Sequence, residues 1–338
     1  MPSAGDGLVA VDIRHVGVCG TDFHIFQGKH PFIEYPRLLG HELSGVVAGE
    51  GTPRLPAGTP VVINPYLECG RCIACRKSRP NCCVTLKVLG VHIDGGMCER
   101  IVMPEANLYP AGALSLRDAA MVEFLAIGAH AVRRSESASG DRILVVGMGP
   151  IGVGAALFAR RAGARVTVMD VAEKRLDFVR DRLGFADRIL AGADARDQAA
   201  RETGGEFYDA VFDATGNARA MEASFGFVAH TGTLVMVGVI NSEIAFSDPD
   251  LHRREMRVLA SRNATRADFD TGLARVKNQL AMLSMTMPWT NTTVWGPRPK
   301  SRTWTSCPLT WTRLTRRTRP GSPPPVHAGS GGCSGSPG

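Results

Sequence analysis

Ile143-Leu144-Val145-Val146-Gly147-Met148-Gly149-Pro150-Ile151-Gly152 decides how the second half of this chain folds. Four apolar residues in a row, three of them β-branched, read as a strand buried on both faces. The glycines that follow mark a tight turn, and a helix runs from the turn through Arg161. Further on, Val166–Met169 makes the next strand and closes on Asp170, with a helix over 172–183. Tyr208–Phe212 leads into Asp213-Ala214-Thr215-Gly216, and Thr233–Val237 supplies a later strand. This rhythm of strand and helix predicts an α/β fold with a doubly wound parallel sheet from about 123 to 263.

Gly-x-Gly-x-x-Gly is weak evidence alone, but here it directly follows an apolar strand and opens a helix. Gly147 permits the tight turn, Gly149 lets a pyrophosphate approach the backbone, and Gly152 lets helix and strand pack closely. The phosphates of a dinucleotide would sit on free N–H groups at the helix N-terminus. Asp170 ends the second strand, where a carboxylate can accept bonds from both ribose hydroxyls and repel a 2′-phosphate. The expected cofactor is therefore NAD, with Arg175 available to cover the adenine.

Upstream the texture is different. Residues 8–18 are β-rich and deliver the chain to Cys19 as a strand end. Val46–Val47, Val61–Ile63 and a stretch near Glu99–Met103 suggest further strands between Gly and Pro turns. A helical pattern over 115–134 (Ala119, Val122, Ala126, Ala129, Val132) bridges to the second half. Residues 64–85 form a cysteine-rich loop with little apolar content, which a metal rather than a core must hold.

Two metal sites are expected, both for zinc. Cys69, Cys72, Cys75 and Cys83 make a closed set of four thiols, the pattern of a structural site. Cys82 competes for the fourth place, and spacing favours Cys83. Cys19 and His41 are the second pair, with a carboxylate or water completing the sphere; Glu42 or Glu123 could be that carboxylate. Zinc held this way leaves a position open and acts as a Lewis acid on a substrate hydroxyl, stabilising the alkoxide that expels hydride. The Thr21 hydroxyl can take the leaving proton and His24 can pass it onward. Asp22 is placed to orient His41. His92, ahead of the turn Asp94-Gly95-Gly96, either reaches the substrate or has a structural part.

The chain has 338 residues, long enough for two domains. No signal peptide is evident and no apolar run could span a bilayer, so a cytoplasmic location is expected, with no membrane partner. The net charge of +7 comes from one end: from residue 271 onward there are nine Lys or Arg and no Asp or Glu. The other 270 residues sum to −2, so no nucleic-acid partner is expected of the fold itself. All four tryptophans fall in the same stretch, and it carries no hydrophobic period. It reads as a segment outside the domain's design, such as a shifted reading frame; a basic nucleic-acid-binding tail is the competing reading.

Together these residues resemble the zinc-containing medium-chain dehydrogenase/reductase superfamily, the alcohol and polyol dehydrogenases, from about residue 8 to about 275. Tyr35-Pro36-Arg37-Leu38-Leu39-Gly40-His41-Glu42, Gly90-Val91-His92-Ile93-Asp94-Gly95-Gly96 and Ala129-His130-Ala131-Val132-Arg133-Arg134 look like sugar-acid dehydrogenases of the L-galactonate or L-gulonate 5-dehydrogenase type. Phe246-Ser247-Asp248-Pro249-Asp250 and Ser261-Arg262-Asn263-Ala264-Thr265 look alike in the same way. The resemblance implies a GroES-like β-rich catalytic domain over 1–122, with the four-thiol lobe inside it, and a Rossmann domain over 123–263. In such enzymes the residues matching Cys19 and His41 bind the catalytic zinc, and those matching Glu42 and Glu123 are its variable further ligands. Residues 264–338 would be a tail in place of the family's closing segment, and the start would lack a strand. Phe124 stands where the family usually has proline. The implied reaction is oxidation of a secondary alcohol of a polyol or sugar acid with NAD, in a chain that is commonly a homo-oligomer. Arg133, Arg134 and Arg262 are candidates to answer a substrate carboxylate. A second reading is a zinc- and dinucleotide-binding remnant of such an enzyme, without turnover.

Overall fold

A computed structural model describes residues 7–28 and 33–283, with side chains to residue 274. The chain opens with β1 (Leu8–Gly17), α1 (Gly20–Phe26), β2 (Glu42–Val47), β3 (Pro60–Ile63) and β4 (Tyr66–Leu67). Then come α2 (Ile73–Arg76), β5 (Lys87–Val88), β6 (Arg100–Pro104) and β7 (Leu108–Pro110), followed by α3 (Leu116–Ala119) and α4 (Val122–Ser135). Five of these strands form an antiparallel sheet in the order β6-β1-β2-β3-β7. Its inner face buries Val9, Val11, Leu43, Val61, Ile63, Met103 and Leu108. The β1–β2 register sets Gly17 opposite Glu42, which brings the end of one strand beside the start of the next. β4 and β5 pair separately at the root of the cysteine lobe.

The second half contains β8 (Arg142–Val146), α5 (Pro150–Arg161), β9 (Arg165–Asp170), α6 (Glu173–Leu183), β10 (Arg188–Leu190), α7 (Ala195–Thr203) and β11 (Tyr208–Asp213). It continues with α8 (Ala218–Ser224), β12 (Val228–Met236), α9 (Asp248–Arg253), β13 (Arg257–Ala260) and α10 (Arg266–Leu283). The six strands are parallel in the order β10-β9-β8-β11-β12-β13. Strand order reverses between β8 and β11, and in open α/β sheets the ligand crevice lies at that switch point, beyond the strands' carboxyl ends. Ile143, Leu144, Val145, Val168, Val211 and Phe212 are fully buried, as strands covered on both faces require.

The structure departs from the sequence reading in three places. The helical pattern over 115–134 is two helices. Ser115 Oγ accepts from Asp118 N–H at 3.1 Å and caps α3, and the break after Ala119 puts Glu123 in the first turn of α4. The sheet has two strands, β10 and β13, that the pattern did not announce. The packed fold also runs past 263: Ala264, Phe269 and Leu273 are buried, and the Phe269 ring stacks on Tyr109 at 5.3 Å and meets Tyr66 edge-on at 6.0 Å. The rest of the expected tail, 284–338, including the basic stretch on which the nucleic-acid reading depends, lies outside the described residues. Among the described residues no helix is long and apolar enough to cross a membrane.

Candidate active site

Cys19 stands at the N-cap of α1, between the end of β1 and the first helical turn. Its N–H donates to Asp22 Oδ2 at 2.8 Å, the reciprocal bond of a capping box, so the cap that starts the helix also pins Asp22. Asp22 is buried, and its other oxygen, Oδ1, lies 3.6 Å from Nδ1 of His41. His41 directly precedes β2, and Glu42 is that strand's first residue. One ligand atom each from Cys19, His41 and Glu42 lies within 4.8 Å of the others. Nδ1 faces Asp22, so Nε2 is the nitrogen left over.

Electrostatics make this cluster a poor place to be without a cation. Burial, with the carboxylates of Glu123 and Asp22, pushes the Cys19 thiol up to about 11. Burial and the neighbouring Cys19 and Glu123 raise Glu42 well above the usual carboxylate range. Burial would lower His41, but Asp22, Glu123 and Glu42 outweigh it and raise the imidazole. Buried Nδ1 of His41, Oδ1 of Asp22 and Oε2 of Glu123 have no hydrogen-bond partner. A thiol, an imidazole and carboxylates brought together with unmet bonding capacity suit a divalent ion of zinc's preferences.

Glu123 lies outside the tight set. It is buried, its charge acts on Cys19, His41 and Glu42, and its Oε1 accepts a hydrogen bond from the Tyr66 hydroxyl. Sequence reasoning missed Tyr66, which belongs to no spaced motif. Thr21 is half-buried, with Oγ1 3.8 Å from the Cys19 sulfur. His24 is exposed one helical turn further along α1. His92 is tied to the backbone, its Nδ1 accepting from Val88 N–H at 3.2 Å, and burial together with Arg262 and Arg37 lowers its pKa.

The four-thiol set closes on itself. Cys69, Cys72, Cys75 and Cys83 place their sulfurs within 4.8 Å of one another, with Cys72 and Cys75 at 3.5 Å. A zinc tetrahedron with arms of about 2.3 Å needs sulfurs about 3.8 Å apart. Peptide N–H groups of Arg71 and Cys72 pull Cys69 down to about 6, toward the thiolate a metal needs. Cys83 is the buried member of this set and Cys82 is exposed; all are free thiols. Residues 73–78 bury no side chain, which leaves this arm of the lobe without a core.

At the sheet's carboxyl edge Gly147 takes φ +95° and Gly149 caps α5. A Cβ on Gly152 would fall 1.7 Å from the Gly147 carbonyl oxygen, so only glycine lets this turn close. A Cβ on Gly149 would meet nothing within 4 Å, so space lies open over the helix N-terminus. Asp170 accepts from Met148 N–H at 2.7 Å through Oδ2 and from Ala172 N–H at 2.8 Å through Oδ1. It is buried, so much of its work is to brace the glycine turn. Arg175 reaches back to Asp170 at 3.2 Å rather than out over an adenine site. The cradle fits a dinucleotide.

Comparison with known proteins agrees with both halves. Residues 5–113 match the alcohol dehydrogenase GroES-like domain and residues 150–278 the zinc-binding dehydrogenase family. The chain is 43% identical to L-galactonate-5-dehydrogenase of Escherichia coli (strain K12) over 271 residues, 80% of each chain. It is 32% identical to 2-dehydro-3-deoxy-L-galactonate 5-dehydrogenase of Pseudoalteromonas atlantica, over 80% of this chain and 79% of that one. Among solved structures, a short chain alcohol dehydrogenase of E. coli CFT073 complexed with NADH superposes with a TM-score of 0.76 at 27% identity, covering 83% of each chain. Nothing in these likenesses supports a remnant without turnover. With two thiol-bearing metal sets, a Gly-x-Gly-x-x-Gly cradle and this kinship, the chain belongs to the zinc-dependent alcohol dehydrogenases of the medium-chain dehydrogenase/reductase superfamily, an oxidoreductase with zinc and NAD as its cofactors.

Proposed function

We propose that the chain oxidises a secondary alcohol of a sugar acid or polyol and passes the hydride to NAD, with residues 1–122 as the catalytic half and 123–263 as the cofactor half. The observation that carries this reading is the meeting of half-buried Cys19 with buried His41 and Glu42 at one point, although 21 residues separate Cys19 from the pair. Zinc in that donor set would supply Lewis acidity to a substrate hydroxyl, and bound NAD an acceptor for hydride.

The chain's own residues do the rest. Asp22 sets its free Oδ1 3.6 Å from Nδ1 of His41, where a carboxylate can orient the imidazole and back it as a ligand. Thr21 lies close enough to the Cys19 sulfur for its hydroxyl to take a proton released inside the site. His24, exposed on the same face of α1, carries that proton on to water. Asp170 keeps the glycine turn in shape for the pyrophosphate and turns its charge against a 2′-phosphate.

The sugar-acid class is supported by the two 5-dehydrogenases named above, whose names specify such substrates. Of the three candidate arginines, Arg133 is committed to Asp268 at 2.8 Å and Arg134 to the Ala260 carbonyl at 2.9 Å. Arg262 is exposed, and its charge is felt at His92, so it is the arginine left for a substrate carboxylate.

Cys19→Ser tests the site. Zinc should fall from two per chain to one, the four-thiol metal remaining, and NAD reduction with L-galactonate or related aldonates should be lost. A variant that keeps both metals and its rate would place the chemistry elsewhere.

A further inference from the structure

Two buried carboxylates, Glu42 and Glu123, crowd one Cys–His pair, yet they are held differently. A Cβ on Gly17 would lie 2.1 Å from Oε2 and 2.8 Å from Cβ of Glu42. The φ of Gly17 is not in the left-handed region, so the turn does not demand glycine there; the Glu42 side chain does. It occupies the space that any other residue at 17 would fill, and so stays within the 4.8 Å set with Cys19 and His41. Glu123 is instead bound through Oε1 to the Tyr66 hydroxyl, while its Oε2 is buried without a partner. Tyr66 is itself packed in place, with its ring edge-on to Phe269 at 6.0 Å and its body buried.

We propose that Tyr66 is a positioning residue of this metal centre: its hydroxyl latches Glu123 outside the donor set, so that Glu42, seated against Gly17, is the carboxylate that completes it. This rests on the metal site assigned above and says which of two carboxylates serves it. A freed Glu123, whose buried Oε2 already lacks a hydrogen-bond partner and whose Oε1 the latch would release, is the replacement ligand.

Zinc retained per chain, measured as the holoenzyme is dialysed against graded chelator, separates the alternatives. Glu42→Gln should surrender the mixed-site zinc at a chelator concentration at least about 10-fold below wild type, the lower end of what even an outer partner of a metal ligand is worth. Adding Tyr66→Phe should restore most of that loss, because Glu123 can then swing in, and adding Glu123→Gln as a third change should abolish the recovery. Tyr109→Phe, in the same aromatic cluster, should restore nothing. Four-thiol zinc held by every variant reports an intact fold. If the single and double variants release zinc together, or Glu42→Gln alone retains it as wild type does, Tyr66 is no latch. Wild-type protein holding only the four-thiol zinc would instead sink the site assignment itself.

Discussion

Asp22 divides its work between its two oxygens, one on the Cys19 N–H and one facing His41. Asp22→Asn can still accept the Cys19 N–H, but an amide brings no negative charge to the Nδ1 side of a metal-bound imidazole. The mixed site should then lose about 10- to 100-fold in zinc affinity while four-thiol zinc is unmoved, as chelator competition would read. Asp170→Ala removes the acceptor for two backbone N–H groups, each costing about 1–3 kcal/mol if left unpaired in a buried place. NADH binding, followed by fluorescence quenching, should weaken about 10-fold or more, and preference over NADPH should narrow. Unchanged affinity would mean that the turn holds its shape unaided. Cys19, His41 and Asp170 could be read in the sequence because metal donors and strand-end carboxylates recur at telling positions. Tyr66 and Gly17 could not: one hydroxyl and one missing side chain matter only through a partner 57 or 25 residues away.

At the scale of elements, α10 is where sequence and structure differ most. The sequence reading puts its start in the abnormal tail, because the composition changes abruptly nearby and no hydrophobic period survives there. The structure shows that Phe269 and Leu273, both buried, anchor it, with Asp268 tied to α4. Phe269 has no exposed surface and sits between Tyr66 and Tyr109, so Phe269→Ala should cost about 3–5 kcal/mol in denaturant unfolding. Thr271→Ala, on the exposed face, should stay within about 0.5 kcal/mol. The same helix carries Asp268. Burial would raise this carboxyl, but hydrogen bonds from His130, Arg133 and Thr265 overcome that and hold it below the usual carboxylate range. A depressed native pKa gives stability that is full above the unfolded value of about 3.9 and drains away as pH falls below it. Unfolding free energy should therefore drop from about pH 4 downward, and Asp268→Asn should flatten that slope. An equally steep acid limb in the variant would assign it to other carboxylates. Strands β10 and β13 escaped the sequence reading for a simpler reason: with three and four residues, they are too short for any period to register.

Across the whole molecule α4 is the member that joins the proposed metal site to the proposed cofactor cradle. Its first turn carries Glu123, His130 in its middle touches Asn81 of the thiol lobe at 3.2 Å, and its flank lies on α5, whose N-terminus is the proposed phosphate cradle. The sequence reading had this helix as a bridge from its apolar period alone. It could not find where the bridge bears, since that needs two helices side by side. The bearing is Gly128, where a Cβ would lie 2.5 Å from the Gly154 carbonyl carbon and 2.6 Å from Ala155 N. Across the contact, a Cβ on Gly154 would meet nothing nearer than 3.5 Å, ordinary contact. The two glycines should therefore respond oppositely. Gly154→Ala should leave turnover alone and gain up to about 1 kcal/mol of helix stability. Gly128→Ala must push backbone away from backbone and so shift the metal site against the nicotinamide crevice. Because a misplacement of about 1 Å can cost about 100-fold, kcat/KM should fall by up to that factor while zinc stays at two per chain and NADH still binds. A Gly128→Ala enzyme with wild-type turnover would show that some other contact sets the distance over which hydride travels.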